Sequence, residues 1–208
     1  MARSSLKDHI ALLQWHYHFL YLWMFLEQTV KKRDLSKYAK DMPIQTGESS
    51  QFVLQREKIH SLITQIHNNP DKENILWYMV ETNAIRWVVS VMKELIDTSS
   101  SFNNHLRKQL DKQFFPFEQI IRFSRNILNH AIDPQIIIKK EDFLQQKAYL
   151  HEHGVTNIHF IFNYADYIKE RTWSENYGLD ISIHFKKLKP WTPFYTAIPK
   201  HQLYLLCE

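Results

Sequence analysis

From Phe117 to Asp133 the chain reads FEQIIRFSRNILNHAID. Wound as a helix, residues three and four apart share a face. Glu118, Arg122, Arg125, Asn126, Asn129, His130 and Asp133 then form one continuous polar stripe. Ile120, Phe123, Ser124, Ile127, Leu128 and Ala131 form an almost wholly apolar face opposite it. A solvated helix usually carries Lys and Glu, whereas these polar groups are short and directional. Histidine can take or give a proton near neutrality. Arginine presents a rigid fork of donors that fits phosphate oxygens. Asn126 and His130 are four apart, so the amide can orient the ring. Arg125 and His130 are five apart, about 140° around an ideal helix, and converge poorly within one chain. A two-fold dimer would set a second Arg and His opposite the first. The alternative is a non-catalytic interaction module, in which the stripe binds a protein partner and His130 is structurally satisfied.

Arg125-Asn126-Ile127-Leu128-Asn129-His130 resembles the Arg-polar-x(3–5)-His signature of HEPN domains, in which Asn, Asp or His commonly follows the arginine. The resemblance implies a helical bundle that dimerises so that two copies of the motif face each other. It implies a metal-independent endoribonuclease without a cofactor, in which the RNA's own 2′-hydroxyl attacks the phosphate. By that resemblance Arg125, Asn126 and His130 are the catalytic residues; Arg122 and Asn129, on the same stripe, would extend the phosphate-gripping surface and bind substrate. The expected partners are RNA, a second copy of the chain through the motif helix, and an antitoxin or regulator; the expected role is that of a toxin or anti-phage effector. The likeness covers the motif helix and, more loosely, residues 1 to 150, and does not extend past Gly154. One departure stands out. The subfamily paired with nucleotidyltransferase antitoxins tends to carry His-x-Tyr, whereas His130 is followed by Ala131-Ile132.

Composition excludes several other chemistries. The 208 residues contain three glycines, Gly47, Gly154 and Gly178, all isolated, so no phosphate-cradling glycine loop can be drawn. The single cysteine, Cys207, rules out an internal disulfide framework and a thiolate metal cluster and fits a reducing cytoplasm. The opening Met-Ala-Arg-Ser-Ser lacks the layout of a secretory signal. A formal charge of +4, with small clusters at Lys31-Lys32-Arg33 and Lys186-Lys187-Leu188-Lys189, is compatible with a nucleic-acid partner. His16-Tyr-His18 and His151-Glu-His153 tempt a metal reading, but residues two apart on a helix diverge, so no metal site is expected. Trp173, Tyr177 and Trp191 could stack unpaired bases.

Most of the elements needed to hold this motif are helices. A helix over Leu6 to Lys32 contains the uncharged run IALLQWHYHFLYLWMFL, apolar all round and therefore buried on all sides, in a core with an oligomer interface rather than a membrane. Seventeen residues with Gln14, His16 and His18 fall short of the roughly 20 that span a bilayer. Ala39 to Ser50 reads as a loop. Helices follow over Phe52–His67, Asp71–Ile96, Phe102–Phe114, the stripe behind Pro116, and Glu141–His151. Asn157 to Lys169 is expected to be helical, Asp180 to Leu188 a strand, and Phe194 to Ile198 its hairpin partner. The chain should be mainly α: a HEPN-like bundle over 1–152 with a small α+β extension, 153–208, packed on it.

Overall fold

A computed structural model describes residues 5–32, 37, 39–45, 50–68, 70–130, 136–164 and 178–207. It is mainly helical, in the order α1 (Leu6–Lys32), β1 (Met42–Gln45), β2 (Gln51–Leu54), α2 (Arg56–Asn68), α3 (Pro70–Thr98), α4 (Ser100–Leu110), α5 (Phe114–His130), α6 (Lys140–Glu152), β3 (Asn157–Asn163), β4 (Gly178–His184), α7 (Phe194–Ala197) and α8 (Lys200–Cys207). Two compact units emerge: one of residues 1–18 and 82–208, the other of residues 19–81. The expected boundary at 152/153 falls inside the first.

The second unit holds the hairpin β1–β2, with Met42 opposite Leu54 and Ile44 opposite Phe52. The expected loop over 39–50 is thus corrected. Met42 and Ile44 alternate with Pro43 and Gln45, a strand period that the turn composition around them had hidden. Helix α2 consequently starts at Arg56 rather than Phe52, and the Asp41 carboxylate accepts a hydrogen bond from the Arg56 N–H at 2.6 Å. On α1, Trp15, Phe19, Tyr21, Leu22 and Phe25 are exposed. Burial of that helix on all sides is therefore not achieved within one chain.

In the first unit Ser5 caps α1: its backbone N–H and hydroxyl both donate to the Asp8 carboxylate at 2.8 Å. These bonds hold the Asp8 pKa below its usual value. Ser99 caps α4 by accepting from the Phe102 N–H at 3.3 Å. Helix α4 ends at Asp111, whose φ of +46° reverses the chain into a short 3-10 turn before α5. Pro116 lies in the first turn of α5, where its missing N–H is no loss.

The largest correction concerns the region after Gly154. Residues 157–163 form a strand, not a helix, and pair antiparallel with β4 from Asn157↔His184 to Asn163↔Gly178. Ile158 and Phe160 are buried and His159 and Ile161 exposed, a period of two in a run rich in aromatic and β-branched residues. Helical spacing through Ile158, Ile161 and Phe162 loses to that cross-strand pairing. The strand expected over 180–188 is present as β4, with Leu179, Ile181 and Ile183 inward. Its partner is β3, and residues 194–197 instead make the short helix α7, burying Phe194 and Ala197 three apart.

This C-terminal part backs the motif helix. Phe123 of α5 meets Phe185 and Phe194, with ring centroids 5.4 and 6.5 Å apart, and Phe117 meets Phe160 at 5.5 Å. Burying such a ring contributes roughly 1.5–3 kcal/mol. The approach of the strands is close: a Cβ on Gly178 would sit 2.6 Å from the Phe162 carbonyl oxygen. Gly178→Ala should destabilise the protein by about 1–3 kcal/mol, seen as a fall in Tm of roughly 2–4 °C per kcal/mol; an unchanged Tm would contradict that register. Cys207 is buried on α8, and burial pushes its thiol up to about 12 from 9.0. The native thiol should resist Ellman's reagent until the chain is unfolded. Above pH 9.0 the unfolded chain releases this proton while the native one keeps it, so stability should decline as pH rises from 9.0 towards about 12. Denaturation midpoints measured across that range check the sign.

Candidate functional site

Helix α5 divides as its spacing predicts. Ile120, Phe123, Ser124, Ile127 and Leu128 are buried, Arg125, Asn129 and His130 are exposed, and Glu118, Arg122 and Asn126 lie between. Asp133, with Ala131 and Ile132, lies outside the described residues. The stripe runs between α3 and α6. On one side the Ser90 hydroxyl of α3 donates to the Asn129 side-chain oxygen at 3.4 Å. On the other, the Arg122 guanidinium lies 3.8 Å from the centroid of the Tyr149 ring of α6. Stacking of this kind fixes the plane of the guanidinium while leaving its edge donors free to bind an anion.

The feature that motif spacing does not disclose is Asp142. It is 3% exposed, and its Oδ1 accepts from His130 Nδ1 at 2.9 Å, although the imidazole itself is largely in solvent. His130 is the last residue of α5 and Asp142 lies in the first turn of α6. The imidazole is thus at the negative end of one helix, with its Nδ1–H as donor, and the carboxylate at the positive end of the next, where the helix dipole favours it. Asp142 Oδ2 is buried and has no hydrogen-bond partner among the described residues. A carboxylate held this way dictates the tautomer: with the proton on Nδ1, Nε2 keeps its lone pair. Asn126, expected to orient the His130 ring, instead accepts from the Arg125 guanidinium at 3.3 Å. Asp142 takes the orienting role. No local pattern marks it, since it is 12 residues away on another helix.

The segment that leads into α6, residues 136–139, is pinned from a distance. Ile138 N–H donates to the Thr192 carbonyl at 3.0 Å, Trp191 N–H to Ile138 at 2.8 Å and Phe194 N–H to Ile136 at 2.8 Å. The C-terminal segment therefore fixes where α6 begins, and with it Asp142. Between the two helices the buried Gln146 amide donates to Gln119 Oε1 at 2.9 Å.

The remaining candidates separate. His16 Nδ1 donates to the Leu12 carbonyl at 2.7 Å and its ring stacks on Trp87, whereas His18 packs edge-on to Trp15. His153 Nδ1 donates to the Tyr149 carbonyl at 2.8 Å. Among the described residues no group of three or more His, Cys, Asp or Glu could hold a metal ion. Trp191 is exposed, and Trp173 and Tyr177 lie outside the described residues. Among the described residues, no helix is long and apolar enough to cross a membrane.

No protein-family model, curated protein or solved structure was found to match this chain. The His130–Asp142 contact makes its own prediction. In mildly alkaline buffer, nitrogen NMR should find neutral His130 protonated on Nδ1, and Asp142→Ala should shift the proton to Nε2. An unprotonated Nδ1 in the wild type would refute the pairing.

Proposed function

We propose that this chain is a metal-independent endoribonuclease of HEPN type, with an active site composed across a homodimer. One observation carries the reading: His130 is held through Nδ1 by the buried Asp142, and its Nε2 is left available on the exposed stripe that also bears Arg125. A histidine anchored at one nitrogen is a preorganised proton carrier. In the proposed reaction Nε2 takes the proton of a ribose 2′-hydroxyl. The 2′-oxygen attacks phosphorus, the bond to the 5′-oxygen breaks, and the leaving oxygen takes a proton relayed through water from the imidazolium just formed. The products are a 2′,3′-cyclic phosphate and a free 5′-hydroxyl. Arg125 and Arg122 would neutralise charge on the non-bridging oxygens, with Asn126 and Asn129 adding polar contacts.

The separation of about 140° between Arg125 and His130 on one helix is the reason for the dimer: one copy's arginine would serve the other's histidine. A regulator or antitoxin would restrain such an enzyme by covering the stripe, consistent with a role as a toxin or phage-defence effector.

Purified protein should cut RNA in the presence of EDTA and leave cyclic-phosphate ends. His130→Ala and Arg125→Ala should each lower the rate by about 10²–10⁴-fold without changing the circular dichroism spectrum. Mixing the two inactive variants should restore cutting, because a mixed dimer contains one intact composite site. Activity that survives both substitutions rejects the catalytic assignment; failure to complement, or a strictly monomeric species by light scattering, rejects the shared site.

A further inference from the structure

Away from the stripe, α6 ends in a turn that builds a hollow. Val155 N–H donates to the Leu150 carbonyl at 2.9 Å and Gly154 N–H to His151 at 3.0 Å, with Gly154 at φ +69°. This is a Schellman turn, which folds the residue after the glycine back onto the last turn of the helix. Val155 and Leu150 meet there, and Phe185, just past β4, completes the floor of a cavity of about 220 Å³. Lys147 and His151 rise from α6 on one side, Lys186 from the chain after β4, and Thr156 completes the rim.

The floor is rigid and apolar. Leu150 and Phe185 are almost fully buried, and the Phe185 ring is packed against Phe123 and Phe143, at centroid distances of 5.4 and 5.8 Å. The rim has the opposite character. None of the lining residues is acidic, and among the described residues no carboxylate pairs with Lys147, His151 or Lys186. Lys147 does lie 5.9 Å from the Phe143 ring, which holds it over the same side of α6. Cations near a helix C-terminus are favoured by its dipole. That dipole does not account for Lys186, which comes from a different element.

Concave apolar surface with a few convergent polar groups is what small-molecule sites share. The volume is below the roughly 300–1,000 Å³ of sites that enclose a whole drug-sized ligand, so the cavity takes one flat apolar group and the rest of the ligand lies at the rim. Two ammonium groups from separate elements match a dianion better than a single carboxylate, and lysine binds phosphate as a point charge. We propose that this cavity binds a nucleoside monophosphate, its base against Leu150, Val155 and Phe185 and its phosphate between Lys147 and Lys186. Either a free nucleotide or the terminal nucleotide of a strand presents this chemistry.

Titration of the full chain by NMR tests the proposal with four probes: AMP, adenosine, inorganic phosphate and an oligodeoxyadenylate bearing a 3′-phosphate, which lacks the 2′-hydroxyl needed for cleavage. AMP should shift the Leu150, Val155 and Phe185 amides to saturation, and adenosine and phosphate should each bind at least about tenfold more weakly. Lys147→Glu and Lys186→Glu should each weaken AMP by about tenfold with an unchanged thermal melt, and Lys186→Gln by less. An oligonucleotide as tight as AMP assigns the site to a strand end; a much weaker one assigns it to the free nucleotide. His130→Ala should bind AMP like the wild type, which separates this site from the catalytic proposal. Three results would overturn it: AMP binding unaffected by both lysine substitutions, adenosine or phosphate binding as tightly as AMP, or no shift at these amides.

Discussion

Burial of one face of α5 is the constraint on which the rest of the first unit depends. Phe123 has no exposed surface, and Phe185 and Phe194 from the C-terminal segment pack against its ring. Phe117 is covered in the same way by Phe160 of β3. A helix with this much aromatic surface on one side cannot rotate without exposing it. The polar stripe is therefore held outward by packing on the opposite face, whatever the stripe itself binds.

The same segment also decides where α6 begins. Three backbone hydrogen bonds join residues 136–138 to residues 191–194. They bring Asp142 to the C-terminal end of α5, where a buried carboxylate meets an exposed imidazole. Taking a carboxylate out of water is costly unless it is paired and hydrogen-bonded. Among the described residues Asp142 has one such bond, to His130, and the helix dipole of α6 is in its favour. That arrangement is hard to justify as a device for stability alone, since an apolar residue would pack there at less expense. It is easily understood as a way to fix the tautomer and direction of His130.

The polar contacts between α5 and α6 are of two kinds. Gln119 and Gln146 bond to each other but leave Gln119 Nε2 and Gln146 Oε1 buried without a partner among the described residues. Unmet groups of this sort cost about 1–3 kcal/mol each, so the pair specifies how the helices align more than it stabilises them. Arg122 over Tyr149 is different, because its surface is shared with solvent and its donors stay accessible. The interface thus grades from buried alignment inside to a solvent-facing guanidinium at its edge.

The sequence alone determined what depends on neighbours along the chain. The apolar face of α5, its start near Pro116, the cap at Ser99 and the alternation of β4 are all set by residues within a few positions of each other. Stripe membership was legible for the same reason, and so was the outward placement of Arg125, Asn129 and His130. Tertiary structure decided what depends on a distant partner. Residues 157–163 carry both a helical and a strand period, and only pairing with β4 selected the strand. Residues 194–197 lost that partner and turned into a helix. Asn126 is the natural neighbour of His130 by spacing, yet the imidazole is held by Asp142 on another helix. Spacing reports which side chains share a face; which of them is within reach of a ring is settled only when the second helix is packed in place.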